Sequence, residues 1–153
     1  MINLYTDGSC SGNPGPGGYG YVLEYHDFRK FGADGAMHTT NSRMELMAVI
    51  AGLNAITDRT IPVKVYSDSE YVVKGMNEWL PNWKAKNWRN ARGDEVSNRD
   101  LWEYLDKLVS KFKFVEFCWV RGHNGNYWNE YADELARQGT ETAKQLLEVE
   151  NVS

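Results

Sequence analysis

The sequence predicts an α/β fold built on a mixed sheet of five strands, in the element order β-β-β-α-β-α-α-β-α. Two periodicities support this fold class. Short apolar runs rich in Val and Tyr indicate strands, whereas apolar residues that recur every three or four positions indicate helices. The first three strands follow one another directly, so we expect them to pair antiparallel. The later strands alternate with helices, so right-handed crossovers should join them.

Three strands are predicted before the first helix. The first covers residues 2–6 and is followed by a Gly- and Pro-rich loop over residues 12–18. The second covers residues 19–25, and the third covers about residues 29–36. The short polar segment between the second and third strands fits the turn of a hairpin.

The first helix is predicted over residues 41–56, because the apolar residues there form one stripe with helical spacing. The stripe comprises Leu46, Val49, Ile50, Leu53 and Ile56. A strand over residues 63–67 follows it. The second helix is predicted over about residues 70–80, where Pro81 should end it.

A third helix is predicted after Ser97 or Asn98, either of which suits the N-cap position. Its apolar stripe comprises Leu101, Leu105, Leu108 and Val109. The fifth strand covers residues 114–120, and a final helix covers about residues 127–139.

Composition favours a soluble protein of one domain. A chain of 153 residues with 42% hydrophobic and 25% charged residues is ordinary for this class. We see no signal peptide and no segment able to span a bilayer, and two cysteines are too few for a disulfide framework. We therefore expect a cytoplasmic protein with no membrane contact, and we predict that it is a monomer. Residues 1–142 form the predicted domain, and residues 143–153 form a C-terminal tail whose weak pattern is typical of disordered chain ends.

The distribution of charge says more about a nucleic-acid partner than the net charge does. Seventeen basic and twenty-one acidic residues give a net charge of −4, which disfavours phosphate binding overall. Residues 79–93, here called the basic segment, contain no acidic residue and combine cations with tryptophans. These are Trp79, Trp83, Lys84, Lys86, Trp88, Arg89 and Arg92. The segment is therefore a candidate nucleic-acid surface.

Two aspartates end predicted strands with the same local pattern. Leu4-Tyr5-Thr6-Asp7 and Val65-Tyr66-Ser67-Asp68 both read apolar, Tyr, hydroxyl, Asp. Parallel neighbouring strands would bring Asp7 and Asp68 together at the carboxyl edge of the sheet, where open α/β folds place their sites.

Glu45 and Asp133 lie on predicted helices and could reach the same edge. Crowded carboxylates repel one another unless a divalent cation neutralises them, and oxygen ligands of this kind suit Mg²⁺ or Mn²⁺. This is the chemistry of metal-assisted phosphoryl transfer, and it predicts a nuclease.

Three other motifs carry less weight. The segment from Gly15 to Gly20 matches G-x-G-x-x-G, but a strand follows it rather than a helix, so a turn is the better interpretation. A hydrolase triad built from Ser9, His123 and an aspartate has no distinctive spacing. The scattered histidines and unpaired cysteines disfavour zinc.

Four local sequences resemble the type 1 ribonuclease H family, typified by bacterial ribonuclease HI. They are Asp7-Gly8-Ser9-Cys10-Ser11-Gly12-Asn13-Pro14-Gly15, Thr39-Thr40-Asn41-Ser42-Arg43-Met44-Glu45-Leu46, Tyr66-Ser67-Asp68-Ser69, and Gly122-His123-Asn124-Gly125 with Asn129-Glu130-Tyr131-Ala132-Asp133. The resemblance covers almost the whole chain. It implies a ribonuclease H-like fold, in which helices flank a five-stranded mixed sheet.

The resemblance also implies an activity, namely endonucleolytic cleavage of the RNA strand of RNA–DNA hybrids. The products would carry 5′-phosphate and 3′-hydroxyl ends, and the role would be removal of RNA primers and hybrids during replication. The implied metal ligands and catalytic acids are Asp7, Glu45, Asp68 and Asp133, with His123 as a mobile catalytic histidine. The implied cofactor is Mg²⁺, with Mn²⁺ as an alternative and two ions in the substrate complex.

Four residues match the family's contacts with the hybrid, two of them shortly after Asp7 and two at the start of the first helix. Cys10, Asn13 and Asn41 would read the 2′-hydroxyl across the minor groove, and Thr40 would bind a phosphate of the DNA strand. A lone thiol is more often a small apolar filler, so Cys10 has that second interpretation.

The basic segment resembles the family's protrusion that binds the DNA strand. Lys84 and Lys86 would contact the DNA backbone there, and Trp79 would meet the substrate. Trp83 and Trp88 would instead form a small core that supports the protrusion.

Two other functions remain open from the sequence. One is a catalytically silent module that binds hybrids, although binding alone has no need for a costly acidic cluster. The other is a DNA-cutting member of the wider superfamily, such as an integrase, transposase or junction resolvase. The minor-groove residues and the basic segment favour the hybrid nuclease. The sequence departs from the common family pattern at four residues, none of which is one of the four acids. Two of them, Ser42 and Glu70, lie near the expected minor-groove contact, and the pair Tyr127-Trp128 follows the histidine motif.

Overall fold

Five strands form one mixed sheet in the computed structural model, which describes residues 1–122 and 125–152. The strands are β1 (Ile2–Cys10), β2 (Gly15–Tyr25), β3 (Phe28–Thr39), β4 (Val63–Ser67) and β5 (Val115–Trp119). Their spatial order is β3-β2-β1-β4-β5. The first three pair antiparallel, whereas β1, β4 and β5 run parallel. The predicted fold class is confirmed, as are the succession of strands along the chain and the antiparallel pairing of the first three.

Helices cover the sheet and join its parallel strands. They are α1 (Asn41–Asn54), α2 (Glu70–Lys74), α3 (Leu80–Ala85), α4 (Arg99–Ser110) and α5 (Tyr127–Val152). A single π-helical turn (Gly75–Trp79) connects α2 to α3.

Alternate residues of β1 supply two hydrophobic clusters, because successive side chains of a strand point to opposite faces of the sheet. Leu4 is fully buried in the larger cluster, together with Leu46 and Leu53 of α1. Tyr5 belongs to the smaller cluster, with Val22 of β2 and Ala132 of α5. The sheet is therefore the middle layer between α1 and α5.

Glycines allow α5 to lie directly on the sheet. A methyl group added to Gly18 would come within 2.4 Å of the Thr140 nitrogen, and one added to Gly20 would come within 2.5 Å of the Leu135 Cβ. Contacts this close leave no room for a side chain, so the position of α5 is fixed by the backbone of β2.

The predicted end of the second helix at Pro81 is wrong. The helical path continues through the π-helical turn, where the Leu80 amide donates to the Gly75 carbonyl, and Pro81 lies in the first turn of α3. Proline is tolerated in a first helical turn, because the amide it lacks would have no partner within the helix there.

Asn98 occupies the N-cap position of α4, as predicted, but its side chain does not cap the helix. Its backbone is left-handed, with φ at 61°. The Asn98 amide group instead donates to the Tyr71 hydroxyl at 3.1 Å and accepts from Arg43 at 3.3 Å. A residue expected to act locally thus joins α4 to α1 and α2.

The final helix extends well beyond its predicted end at residue 139, because α5 continues to Val152. Residues 143–152, which we expected to belong to a disordered tail, are helical in this structure, and Ala143 is buried. No helix in the described part of the chain is both long enough and apolar enough to cross a membrane.

Candidate active site

Asp7 and Asp68 meet at the carboxyl edge of the sheet because β1 and β4 are parallel and in register. Tyr5 pairs with Tyr66 along these strands, and their rings stack with centroids 5.0 Å apart and planes 13° apart. The two aspartates follow two positions later on each strand path. The matching tetrapeptides of the sequence therefore describe two strand ends placed side by side.

Glu45 reaches the same edge from α1. Thr40 caps this helix, since its hydroxyl accepts from the Arg43 amide at 3.2 Å. Next to Asp7, Gly8 allows α1 to touch β1, because a methyl group on Gly8 would lie 2.5 Å from the Glu45 nitrogen. The Glu45 side chain is buried there.

The first three acids form a compact group. One carboxylate oxygen each from Asp7, Glu45 and Asp68 lies within 4.8 Å of the others. Asp133 comes from α5 and lines a small cavity with Asp7 and Asp68. The cavity measures about 10 Å³, roughly the space of one water molecule. Its lining residues are Thr6, Asp7, Asp68, Gly122, Asn129, Glu130 and Asp133.

The electrostatics of the group oppose full ionisation. Burial raises the pKa of Asp7 to about 8, aided by the charge of Asp68 and a hydrogen bond with Asp133. Burial likewise raises the pKa of Glu45 well above its usual value, and the charges of Asp7 and Asp68 add to the effect. A nearby positive charge would reverse these shifts, because it stabilises the ionised carboxylates.

The donor atoms fit a hard divalent cation. Carboxylate and amide oxygens are the ligands that Mg²⁺ and Mn²⁺ prefer. Among the described residues, Glu45 Oε2 and Asn129 Oδ1 are buried oxygens that have no hydrogen-bond partner. Such orphaned acceptors are costly unless an ion or an ordered water satisfies them.

His123 lies outside the described residues, so its predicted catalytic position is not part of the observed geometry. The residue before it is described. A methyl group on Gly122 would lie 2.7 Å from Asp68 Oδ2, so the backbone of this loop reaches the acidic group. Trp119, at the end of β5, donates from its ring nitrogen to the Asp68 carbonyl at 3.1 Å.

The four predicted minor-groove and phosphate residues lie together where α1 begins. The backbone N–H of Asn41 donates a hydrogen bond to Asn13 Oδ1 at 2.9 Å, and this bond joins the loop after β1 to the helix. The Cys10 thiol donates to the Gly12 carbonyl at 2.9 Å, and burial raises its pKa. The side chains of Cys10, Asn13 and Thr40 therefore have structural contacts of their own.

The basic segment is organised around its tryptophans. The ring of Trp83 lies 6.5 Å from that of Trp88 and 5.2 Å from that of Trp102 in α4, so the two tryptophans pack against the larger hydrophobic cluster rather than form the separate small core that we expected. Trp79 lies 5.8 Å from Trp83 and is 36% exposed. Its ring is therefore partly available to a ligand.

The two lysines of the segment differ in their surroundings. Lys84 Nζ lies 3.2 Å from Asp106 Oδ2 of α4, so a phosphate would have to compete with that carboxylate. Lys86 instead lines an open groove of about 160 Å³ that also includes Trp79 and Arg89.

Sequence reasoning missed Gly8, Asn129 and Arg137. Asn129 brings an orphaned oxygen to the cavity, and Arg137 lies 2.8 Å from Asp133. The spacing of four residues on a predicted helix could have revealed the Asp133–Arg137 pair. The contact of Gly8 with Glu45 joins residues that are far apart in the sequence, so no local sequence pattern could have predicted it.

Comparison with known proteins gives consistent matches. The sequence matches the RNase H family over residues 1–141. It is 51% identical to ribonuclease H of Paramagnetospirillum magneticum, covering 90% of this chain and 88% of that protein. It is 48% identical to ribonuclease HI of Haemophilus ducreyi, covering 90% and 89%. The crystal structure of LC9-RNase H1, a type 1 RNase H with the type 2 active-site motif, superposes with a TM-score of 0.83 at 34% identity, covering 93% and 72%.

Proposed function

This chain belongs to the ribonuclease H family, and on that premise we propose how its acidic edge cuts the RNA strand of an RNA–DNA hybrid. The protein is a ribonuclease H, a hydrolase of phosphodiester bonds. The observation that carries the assignment is the group of carboxylates Asp7, Glu45 and Asp68, whose oxygens lie within 4.8 Å of one another. We expect products with 5′-phosphate and 3′-hydroxyl ends, and a role in removing RNA primers and hybrids during replication.

The proposed metal ligands are Asp7, Glu45, Asp68 and Asp133, with Mg²⁺ as the ion, Mn²⁺ as an alternative, and two ions in the substrate complex. When bound, such ions neutralise the phosphodiester and the leaving oxygen and activate water for attack. The orphaned Glu45 oxygen and the raised pKa values of Asp7 and Glu45 support this proposal, because a cation would correct both conditions.

Each acid has a distinct way of keeping its place. Asp7 lies on β1 at the centre of the group, within reach of the other three acids. Glu45 is held by the contact of α1 with Gly8, and the backbone carbonyl of Asp68 accepts a hydrogen bond from Trp119. Asp133 arrives on a helix that is fixed against β2. These constraints hold Asp7, Glu45 and Asp68 in place before a ligand arrives, so these three acids need little reorganisation on binding.

His123 is the proposed proton carrier. The described residue before it, Gly122, lies against the Asp68 carboxylate, and this contact supports the proposal. A histidine side chain at this position could take a proton from the reaction or help the product leave.

Recognition of the hybrid is assigned to two surfaces. Cys10, Asn13 and Asn41 would read the 2′-hydroxyl in the minor groove, and Thr40 would bind a DNA phosphate. The hydrogen bond from the Asn41 backbone amide to the Asn13 side chain supports this proposal, because it holds the two residues together.

The basic segment is the second surface, and it would bind the DNA strand. Lys86 lines the groove beside Trp79, which makes these two its main contacts. Lys84 would add a weaker contact because of its pair with Asp106.

A substrate panel tests the activity. Labelled RNA–DNA hybrid, duplex DNA, duplex RNA and single-stranded RNA should each be incubated with Mg²⁺ and with EDTA. We expect cutting of the RNA strand of the hybrid in Mg²⁺ only. Equal cutting of duplex DNA would contradict the hybrid assignment, and cleavage that survives EDTA would contradict the metal assignment.

We also propose that residues 1–142 form a single ribonuclease H domain and that the protein is a cytoplasmic monomer. The family match over residues 1–141 supports the domain limit. Light scattering coupled to size exclusion tests the oligomeric state, because a dimer would elute with twice the chain mass of 17.5 kDa.

A further inference from the structure

One of the four acids is held by a cation from its own helix. Arg137 Nη2 lies 2.8 Å from Asp133 Oδ2, and the two residues are four positions apart on α5. An acidic residue placed four positions before a basic one is the favourable orientation for a pair on a helix. The Asp133 carboxylate is therefore already engaged in the absence of metal.

The position of Asp133 gives this ion pair a consequence for metal binding. The compact group of carboxylate oxygens comprises Asp7, Glu45 and Asp68, whereas Asp133 lies between Asp7 and Arg137. A cation that recruits Asp133 would have to turn its carboxylate away from the guanidinium. A fixed positive charge beside the cavity would also repel the incoming ion.

Exposure shows how the pair can open. The Arg137 side chain is 57% exposed and the Asp133 side chain only 23%. The guanidinium can thus swing into water without losing hydration, while Asp133 stays at the cavity. Exposed pairs of this kind are weak, so a divalent cation can displace the arginine.

We propose that Arg137 is a positioning residue that occupies the Asp133 carboxylate until a divalent cation displaces it, an inference that rests on the proposed metal ligands. Arg137 stabilises the metal-free acidic cluster and lowers its affinity for the ion. The metal ion then replaces Arg137 as the partner of the Asp133 carboxylate, so metal binding and release of Arg137 occur together. The site consequently fills at a higher metal concentration than its four acids alone would require.

Calorimetric titration of the metal-free protein with Mg²⁺ tests this exchange without substrate. Arg137→Gln removes the positive charge of the arginine. We expect this change to lower the dissociation constant for Mg²⁺ by roughly twofold to fivefold, the effect of one exposed ion pair. Lys144→Gln is the matched control, because Lys144 is paired with Glu141 on the same helix, about 16 Å along it from Asp133. The control should leave the dissociation constant unchanged.

A double-mutant cycle separates exchange on Asp133 from repulsion by the charge of Arg137. In an Asp133→Asn background the effect of Arg137→Gln should become clearly smaller, because only the repulsion by the charge of Arg137 remains. An equal effect in that background would overturn the proposal, as would an unchanged or higher dissociation constant in the single variant. Failure of the unaltered protein to bind Mg²⁺ would overturn the proposed metal site as well, which distinguishes the two failures.

Discussion

The backbone of Gly8 lies against the backbone of Glu45, so that a methyl group on Gly8 would come within 2.5 Å of the Glu45 nitrogen and 2.6 Å of the Met44 carbonyl carbon. This contact joins the catalytic edge of β1 to α1. Both atoms belong to backbone, which cannot rotate away as a flexible side chain would. The distance between the Asp7 and Glu45 carboxylates therefore depends on a residue that has no side chain.

Gly8→Ala should separate α1 from β1. Overpacking of this kind costs about 1–3 kcal/mol of unfolding free energy, and it should weaken Mg²⁺ binding because Glu45 moves away from Asp7. Urea unfolding and Mg²⁺ titration measure the two effects. Gly93→Ala is the control, because nothing lies within 4 Å of an added methyl there and only its positive φ of 83° adds strain. Equal loss of Mg²⁺ affinity in both variants would contradict the role assigned to Gly8.

Asp7→Asn should abolish cleavage while leaving hybrid binding intact, because it removes the central ligand and keeps the shape of the site. It should also make the metal-free protein more stable at pH 8 by about 1–3 kcal/mol, since one of several crowded charges is gone. Gel-based cleavage, hybrid binding and urea unfolding in EDTA measure these effects, with Glu148→Gln as a charge-matched control on α5. Cleavage near the rate of the unaltered protein would remove Asp7 from the metal set.

The metal-free protein should lose stability as the pH rises from about 4 to about 8. The pKa of Asp7 is raised from 3.8 to about 8 in the folded state, so the folded protein binds protons more tightly than the unfolded chain. The resulting stabilisation is complete below the unfolded pKa and is lost as the pH rises through the folded pKa. The Glu45 carboxyl shifts in the same direction.

Urea midpoints in EDTA across this pH range test the prediction. Saturating Mg²⁺ should flatten or reverse the slope, because the ion binds the ionised acids of the folded state. The slope should also be smaller in Asp7→Asn. A midpoint that rises with pH in both EDTA and Mg²⁺ would be inconsistent with the crowded acidic site.

Lys86→Ala should weaken hybrid binding and reduce its dependence on salt by about one unit of slope, as expected for the loss of one phosphate contact. Lys84→Ala should have a smaller effect, because Lys84 is already paired with Asp106. Binding isotherms at several salt concentrations measure both slopes. A larger change for Lys84 than for Lys86 would show that the order of the two contacts is reversed.

The sequence predicted those parts of the site that local patterns encode. The tetrapeptides ending in Asp7 and Asp68 predicted two neighbouring strand ends. In two parallel strands that pair in register, equivalent residues of the two tetrapeptides lie side by side. The stripe of α1 predicted a helix that could carry Glu45 to the sheet. Residues 63–67 became β4 with the predicted limits.

Other features depend on contacts between distant residues, which a local pattern does not contain. Pro81 was expected to end a helix, yet a π-helical turn lets the chain continue past it. Asn98 was expected to cap α4 with its side chain, yet Tyr71 and Arg43 compete for that side chain. The far part of α5 was missed because its apolar pattern is weak, although Ala143 is buried there.

The single long helix α5 also separates the C-terminus from the chemistry. From Asp133 to Val152 the helix is continuous, and nineteen residues at 1.5 Å each span about 29 Å. A fluorophore or a surface linker attached at Val152 would therefore lie about 29 Å from Asp133 along the helix. For single-molecule assays and for assays on immobilised protein, the label or linker should accordingly be attached at this end of α5.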